Sequence, residues 1–228
     1  MGYLPLFLNV EDAPCLVVGG GRTAHRKAVL LLEAGARVVA VSPRFTGAFV
    51  ALARDFQEAL ALREEPYTPG DLSAYRLVFA ATDDSALNKT VAEDAQRANL
   101  WVNVVDDPPL CSAICGAVLR RGPLQVAVST GGACPTLSVA LRDELSVLYP
   151  DWTGTYASVL GELRGWLRER CPEMETRKHV LRDLSSKELR DHCRDLKPEA
   201  LLLKLQIEAE RLLGEFSGSG RHGQASRP

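Results

Sequence analysis

Short apolar runs alternate with segments of helical periodicity through the first half of the chain. Cys15-Leu16-Val17-Val18 reads as a buried parallel strand. Ala24, Ala28, Leu31 and Leu32 then recur at helical spacing, and Gly35 stops that helix. Arg37–Val41 is a second strand, a helix follows around Gly47–Phe56, and Leu60–Glu64 is a third strand. Pro66, Pro69 and Gly70 break the chain before a short helical turn. Arg76–Ala81 reads as a fourth strand, Ser85–Ala98 as a helix, Leu100–Val105 as a fifth strand and Leu124–Ser129 as a sixth. Strands alternating with helices predict an α/β fold with a parallel, doubly wound sheet.

From Pro135 onward the pattern turns helical. Leu137, Leu141 and Leu145 mark one apolar face, with Arg142, Asp143 and Glu144 turned outward and Pro150 at the end. Tyr156, Val159, Leu160, Leu163 and Leu167 mark the next face. Ser185-Ser186-Lys187-Glu188 suits the start of a further helix, and Leu202, Leu205, Ala209 and Leu212 give the last one. The Gly/Ser/Arg-rich stretch after Gly214 has almost nothing to bury and is expected to be disordered. The expected organisation is a sheet domain over 1–113, a linking segment over 114–150, a helical domain over 151–213 and a tail over 214–228. A small sheet domain followed by amphipathic helices leaves apolar surface to cover, so Leu137, Leu141 and Leu145 are expected to face a second copy in a homodimer.

Composition narrows the function classes. The 228 residues carry a net charge of −2, with 46% hydrophobic and 25% charged residues. That balance gives no case for nucleic acid or for an anionic membrane surface. No apolar run approaches the ~20 residues of a membrane span. Met1–Phe7 lacks a basic n-region, so a cytoplasmic location is expected. The six cysteines, Cys15, Cys111, Cys115, Cys134, Cys171 and Cys193, read as reduced thiols. Neither a C-x-x-C pair nor a His cluster favours a metal site, and His25, His179, His192 and His222 are scattered.

The first strand leads into Gly19-Gly20-Gly21-Arg22-Thr23-Ala24, which fits G-x-G-x-x-A at Gly19, Gly21 and Ala24. Strand, glycine turn and helix in a β-α-β unit of about 30 residues form a Rossmann-like dinucleotide site. Gly19 permits the tight turn, Gly21 lets a pyrophosphate approach the backbone, and Ala24 lets helix and strand pack closely. The helix N-terminus offers N–H groups and a positive dipole end. Ligands on such sheets bind beyond the strand C-termini, which makes Ser42, Thr82, Asp83, Asn103, Asp106 and Ser129 the polar candidates. Asp106 is the sharpest. A carboxylate there, beside a nicotinamide, can accept a proton. An aspartate in a proline-rich turn is the competing reading, and spacing alone leaves both open.

Five stretches in register carry a resemblance. They are Val18-Gly19-Gly20-Gly21 with Arg26-Lys27, Leu31–Ala36, Ala80-Ala81-Thr82-Asp83-Asp84, Asn103-Val104-Val105-Asp106, and Val126–Gly132. Over roughly residues 1–150 the chain resembles precorrin-2 dehydrogenases, the module found in sirohaem synthases. The resemblance implies oxidation of precorrin-2 to sirohydrochlorin with NAD⁺ as cofactor, followed in some members by Fe²⁺ insertion. Upstream methylation is then expected to lie on another protein. The family's catalytic Asp falls on Asp106. Its cofactor contacts fall on the glycine turn, including Arg22 and Thr23, and on Ser42, Pro43 and Arg44. Thr82, Asp83, Asn103 and Val104 complete the expected cofactor site. The Ser129-Thr130-Gly131-Gly132 turn falls where the family's sheet meets its dimerisation helices, so 114–150 is expected to be a dimerisation segment.

The implied substrate is a tetrapyrrole with eight carboxylates. Ser129, Thr130 and Gly131, at an expected helix N-terminus, and Arg120 and Arg142 are the donors expected to hold it. Lys89 and Arg121 are further basic candidates. The chain departs from the pattern in three ways. No Asp or Glu ends the second strand, where ribose hydroxyls are often held. Ser42 is a weaker substitute, and Arg44 suits a 2′-phosphate, so the residues leave NADP open. Ala113 and Gly116 stand where the family commonly has Phe and Pro, and Cys134 where Ser is common. The alternative to an enzyme is a non-catalytic NAD-sensing module. A carboxylate at Asp106 separates the two, since a sensor has no use for it.

Overall fold

A computed structural model describes residues 2–70 and 72–219, with side chains through 216. The chain divides into two compact units. One holds the residues up to Cys115 together with Gly131–Cys134, and the other holds Gly116–Thr130 and the chain from Pro135.

In the first unit the order is β1 (Pro14–Val18), α1 (Arg22–Leu32), β2 (Arg37–Val41), α2 (Gly47–Asp55), β3 (Leu60–Arg63), β4 (Leu77–Ala80), α3 (Ser85–Arg97) and β5 (Trp101–Val104). All five strands are parallel, in the order β3-β2-β1-β4-β5. Alternate residues feed two cores. Cys15, Val17, Val38, Ala40 and Phe79 pack with Ala24, Ala28 and Leu31 of α1 and with Phe49 of α2. Leu16, Val18, Val78, Ala80, Val102 and Val104 pack with Val91, Ala92 and Ala95 of α3. Burial on both faces explains why these strands read as unbroken apolar runs. Leu72–Tyr75 form a single turn, closed by the Tyr75 N–H donating to the Leu72 carbonyl at 2.9 Å. That connection is tied down by Asp94 on α3. Its buried carboxylate accepts from the Tyr67 hydroxyl at 2.6 Å and the Gly70 N–H at 3.3 Å, and pairs with Arg97.

The sixth expected strand does not join this sheet. β6 (Ala117–Arg121) and β7 (Leu124–Val128) form a separate antiparallel hairpin in the second unit. Its two-residue connection starts with Gly122 at φ +53°, where left-handed backbone favours glycine. α4 (Pro135–Leu148), α5 (Trp152–Arg170), α6 (Met174–Leu184), α7 (Lys187–His192) and α8 (Pro198–Ser219) follow. Tyr156, Val159, Leu163 and Leu167 of α5 pack against Val180 and Leu184 of α6 and Leu201, Leu205, Ala209 and Leu212 of α8. The Tyr156 hydroxyl donates to the Leu184 carbonyl at 2.7 Å, closing that core. α8 corrects the expected tail. It runs past Gly214 to Ser219, so 214–219 continue an established helix, and residues 220–228 lie outside the described residues. Among the described residues no helix is long and apolar enough to cross a membrane.

Candidate active site

Strand order reverses between β1 and β4, which opens a crevice at their C-terminal ends. Three consecutive glycines on the β1 side have three different jobs. Gly19 sits at φ +128°, and a Cβ there would lie 2.4 Å from the Ala81 carbonyl oxygen and 3.3 Å from the Ala24 Cβ. A Cβ on Gly20 would lie 1.9 Å from the Arg44 carbonyl oxygen and 2.7 Å from the Ser42 Oγ. Gly21 has nothing within 4 Å of the Cβ position. It is the N-cap of α1, with no side-chain cap and no acid in the first turn. The first backbone N–H groups of α1 therefore have no side-chain cap from Gly21. Gly20 fills an "x" of the motif, so the pattern gave no sign of its role. Only the β2–α2 connection, distant in sequence, makes it necessary.

That connection is pinned by Ser42. Its N–H donates to the Arg63 carbonyl at 3.1 Å and its hydroxyl to the Arg44 carbonyl at 2.8 Å. The Thr46 N–H donates to the Gly20 carbonyl at 3.0 Å, joining the glycine turn to the same loop. Pro43 and Arg44 are exposed at the end of β2. Ser42 is buried, and its hydroxyl proton serves the main chain.

On the β4 side, Thr82 and Asn88 lock one another. The Thr82 N–H and hydroxyl donate to the Asn88 Oδ1 at 3.1 and 2.8 Å, and the Asn88 amide returns a bond to the Thr82 carbonyl at 3.0 Å. Asp84 caps α3, accepting from the N–H groups of Ala86 at 2.9 Å and Leu87 at 3.1 Å. A cleft of about 340 Å³ lies here, lined by Thr23, Thr82, Asp83, Asn88, Val104 and Asp106 among others. Asp106 sits on its lip at φ +59°, the left-handed conformation that few non-glycine residues adopt.

The Asp106 turn is braced from below by a thiol. Cys111 Sγ accepts the Val104 N–H at 3.1 Å and reaches the carbonyls of Val104 at 3.2 Å and Asp107 at 3.4 Å. Burial pushes the Cys111 thiol up, so it remains protonated and able to donate. Asn103 is buried on β5 and turned away from the cleft, with its amide donating to the Ala113 carbonyl at 3.0 Å.

The expected residues therefore fall into three groups. Thr23, Thr82, Asp83, Val104 and Asp106 line one cleft. Gly19, Gly21, Arg22, Ser42, Pro43 and Arg44 belong to the two loops bonded beside it, and Asn103 props the 111–113 segment. The third group ends no strand of the parallel sheet. Ser129 and Thr130 follow the hairpin strand β7, so Ser129 does not end a parallel strand. Gly131 and Gly132 take φ +65° and +89° with open space at each Cβ. Arg120 lies on β6, and Arg142 on α4 pairs with Asp143 at 2.7 Å. Arg121 is taken up structurally, donating to the Tyr149 carbonyl at 3.1 Å and pairing with Asp151 at 2.9 Å. Lys89 lies 4.0 Å from Glu93. All six cysteines are free thiols. Among the described residues no three His, Cys, Asp or Glu side chains group as a metal site. Asn88, Cys111 and Gly20 are the site residues that sequence reasoning missed.

Comparison with known proteins bears on this arrangement. Residues 6–117 match a family model described as "Putative NAD(P)-binding", and residues 121–147 match "Sirohaem biosynthesis protein central". The chain is 44% identical over 179 residues to a siroheme synthase of Methylococcus capsulatus, covering 78% of this chain and 37% of that protein. It is 42% identical over 178 residues to siroheme synthases of Nitrosomonas eutropha (37% of that protein) and Escherichia coli (38%), in each case over 78% of this chain. It thus spans a little over a third of the length of these curated relatives. A solved structure titled "SirC, precorrin-2 dehydrogenase" shares the fold with a TM-score of 0.73 and 24% identity, over 90% of this chain and 100% of that one. The two models match in order, over residues 6–117 and 121–147, so along that stretch the chain is similar to the NAD(P)-binding and central domains of sirohaem biosynthesis proteins.

Proposed function

We propose that this chain oxidises precorrin-2 to sirohydrochlorin, passing a hydride to a nicotinamide dinucleotide. The cofactor named by the family resemblance is NAD⁺. The observation that carries the reading is Asp106. A carboxylate lining the switch-point cleft, together with Thr23 at the uncapped N-terminus of α1, has a clear chemical use there. A dinucleotide fits the residues present. Gly21 has open space where a pyrophosphate needs close approach, and the α1 N–H groups have no side-chain cap.

The bound nicotinamide supplies the hydride acceptor. The chain's own residues do the rest. The glycine turn and α1 hold the pyrophosphate, and Thr82 and Asp83 flank the cleft floor. Asp106 takes the proton as the substrate loses two electrons and two protons in total. One proton leaves with the electron pair as hydride, and the other passes to the carboxylate and then to solvent. Ser129, Thr130, Gly131, Arg120 and Arg142 are the proposed tetrapyrrole-binding residues. The Arg142–Asp143 pair has to loosen for Arg142 to serve. A homodimer is part of the proposal. Leu137, Leu141 and Leu148 share one face of α4 and are exposed in the single chain, an apolar strip that a second copy covers. Sedimentation at micromolar concentration should give twice the chain mass, and a monomer contradicts it.

The test is anaerobic. Precorrin-2 and NAD⁺ should yield sirohydrochlorin and NADH, and Fe²⁺ added afterwards reveals whether metal insertion follows. Asp106→Ala should slow NADH formation by ~10²–10⁴-fold, about 3–5 kcal/mol of barrier, with dinucleotide binding retained. Asp106→Asn should behave like Ala, because an amide cannot take the proton. Full activity in both variants removes Asp106 as the base and returns the fold to the NAD-sensing alternative or to another carboxylate.

A further inference from the structure

The end of β2 sets the chemistry at the adenosine ribose. In a β-α-β dinucleotide site a carboxylate there holds the 2′- and 3′-hydroxyls, whereas an arginine accommodates a 2′-phosphate. Here β2 ends at Val41 and continues Ser42-Pro43-Arg44, and no acidic residue follows until Asp55 at the far end of α2. Ser42 is the hub of the local backbone. Its N–H donates to the Arg63 carbonyl at 3.1 Å and its hydroxyl to the Arg44 carbonyl at 2.8 Å. One buried residue therefore holds the main chains of two arginines together, one on the β2–α2 loop and one at the end of β3. Both residues are exposed, and among the described residues neither guanidinium has a carboxylate partner. Gly20 fixes this loop against the pyrophosphate turn, because a Cβ there would meet the Arg44 carbonyl at 1.9 Å. Arg44 is thus rigidly registered to the phosphate-binding end of the site. The nearest acids in sequence, Glu64 and Glu65, are exposed on the chain leaving β3.

We infer that this chain accepts a 2′-phosphorylated dinucleotide, NADP⁺, as well as NAD⁺, with Arg44 and Arg63 as the residues that recognise the 2′-phosphate. The inference rests on the nicotinamide-site reading above and goes beyond it. A phosphomonoester on two guanidiniums gains charge-assisted, fork-shaped hydrogen bonds. The same loop offers a bare ribose no carboxylate in exchange. Ser42 is a poor replacement for that carboxylate, since its hydroxyl is uncharged and buried against the loop main chain.

Calorimetric titration of the full chain tests this with four ligands: NAD⁺, NADP⁺, adenosine 5′-monophosphate and adenosine 2′,5′-bisphosphate. NADP⁺ should bind within tenfold of NAD⁺, and the bisphosphate should bind at least tenfold tighter than the monophosphate. Arg44→Glu should shift the NADP⁺:NAD⁺ affinity ratio by tenfold or more toward NAD⁺. Arg63→Ala, on a different element, should shift it the same way by a smaller factor, and it keeps the test open if the first variant folds poorly. NADP⁺ binding more than tenfold weaker than NAD⁺, with the ratio unmoved by either variant, overturns the inference and leaves the NAD⁺ reading intact. Binding of neither dinucleotide overturns both.

Discussion

The β1–α1 and β4–α3 turns are built to the same plan and finished in opposite ways. Each follows a parallel strand, on adjacent strands, and each opens a helix at the same edge of the sheet. α3 is closed by its own sequence. The Asp84 carboxylate takes the first free N–H groups, and Thr82 and Asn88 satisfy the turn before it. α1 has Gly21 in the corresponding place and no side chain on its N–H groups. A helix N-terminus holds one anion well, and a carboxylate already seated there excludes a phosphate. The pair shows why one of two similar turns reads as a dinucleotide site and the other as a rigid wall beside it. The wall has its own use, since Thr82, Asp83 and Asn88 share the cleft with Asp106.

The comparison breaks most severely at Gly20. Gly20→Ala drives a methyl into the Arg44 carbonyl, where the ideal separation is 1.9 Å. Backbone has to move on both sides, and overpacking of this kind costs about 1–3 kcal/mol or more. Both loops should shift together, so dinucleotide affinity should fall along with thermal stability. Differential scanning calorimetry and NAD⁺ titration on the same sample check it. Unchanged stability and affinity mean that the two loops are not coupled.

Gly21→Asp turns α1 into a second α3. The position is open, so the side chain fits without strain. A carboxylate at an N-cap gains a few tenths to about 1 kcal/mol of helix stability over glycine. The same carboxylate stands where the pyrophosphate binds. The variant should melt at or above the parent temperature and bind NAD⁺ at least 100-fold more weakly, about 2.7 kcal/mol. Wild-type affinity in this variant moves the phosphate site elsewhere.

What could be read from sequence divides along the same line. β1 and β4, in the middle of the parallel sheet, are buried on both faces, so each reads as an apolar run that nothing else explains. Gly19 and Gly21 stood out through the local glycine pattern and Asp106 through its place after β5, although the contact that bars a Cβ from Gly19 is the distant Ala81 carbonyl. Gly20, Asn88, Cys111 and Asp94 act through the Arg44 carbonyl, the Thr82 main chain, the Val104 main chain and Tyr67. Those partners lie 6 to 27 residues away in sequence, and no local pattern points to them. β6, with Ala117-Val118-Leu119-Arg120-Arg121, is half-buried and ends in two arginines, so it carries too weak a period to announce itself. Missing it placed β7 and Ser129 on the wrong sheet. Asn103 was legible as a buried polar residue at a strand end, but its direction toward Ala113 depends on a segment that folds back along β5.

The smallest effect tests the closed side of the comparison. Asp84→Ala removes the cap from α3 and frees the N–H groups of Ala86 and Leu87. Caps of this type contribute about 0.5–2 kcal/mol, typically near 1. The Thr82–Asn88 bonds do not involve the Asp84 carboxylate, so the turn should keep its shape, and the loss should appear as stability alone. Urea denaturation should give a lower midpoint with the slope unchanged. Asp84→Asn, which can still accept from the same N–H groups, should recover most of the loss. NAD⁺ affinity should stay within about twofold in both variants, well under the 1.4 kcal/mol that marks a tenfold change. A large loss of affinity on Asp84→Ala means that the two turns are not divided into an anion site and a wall, and that the α3 terminus also takes part in binding.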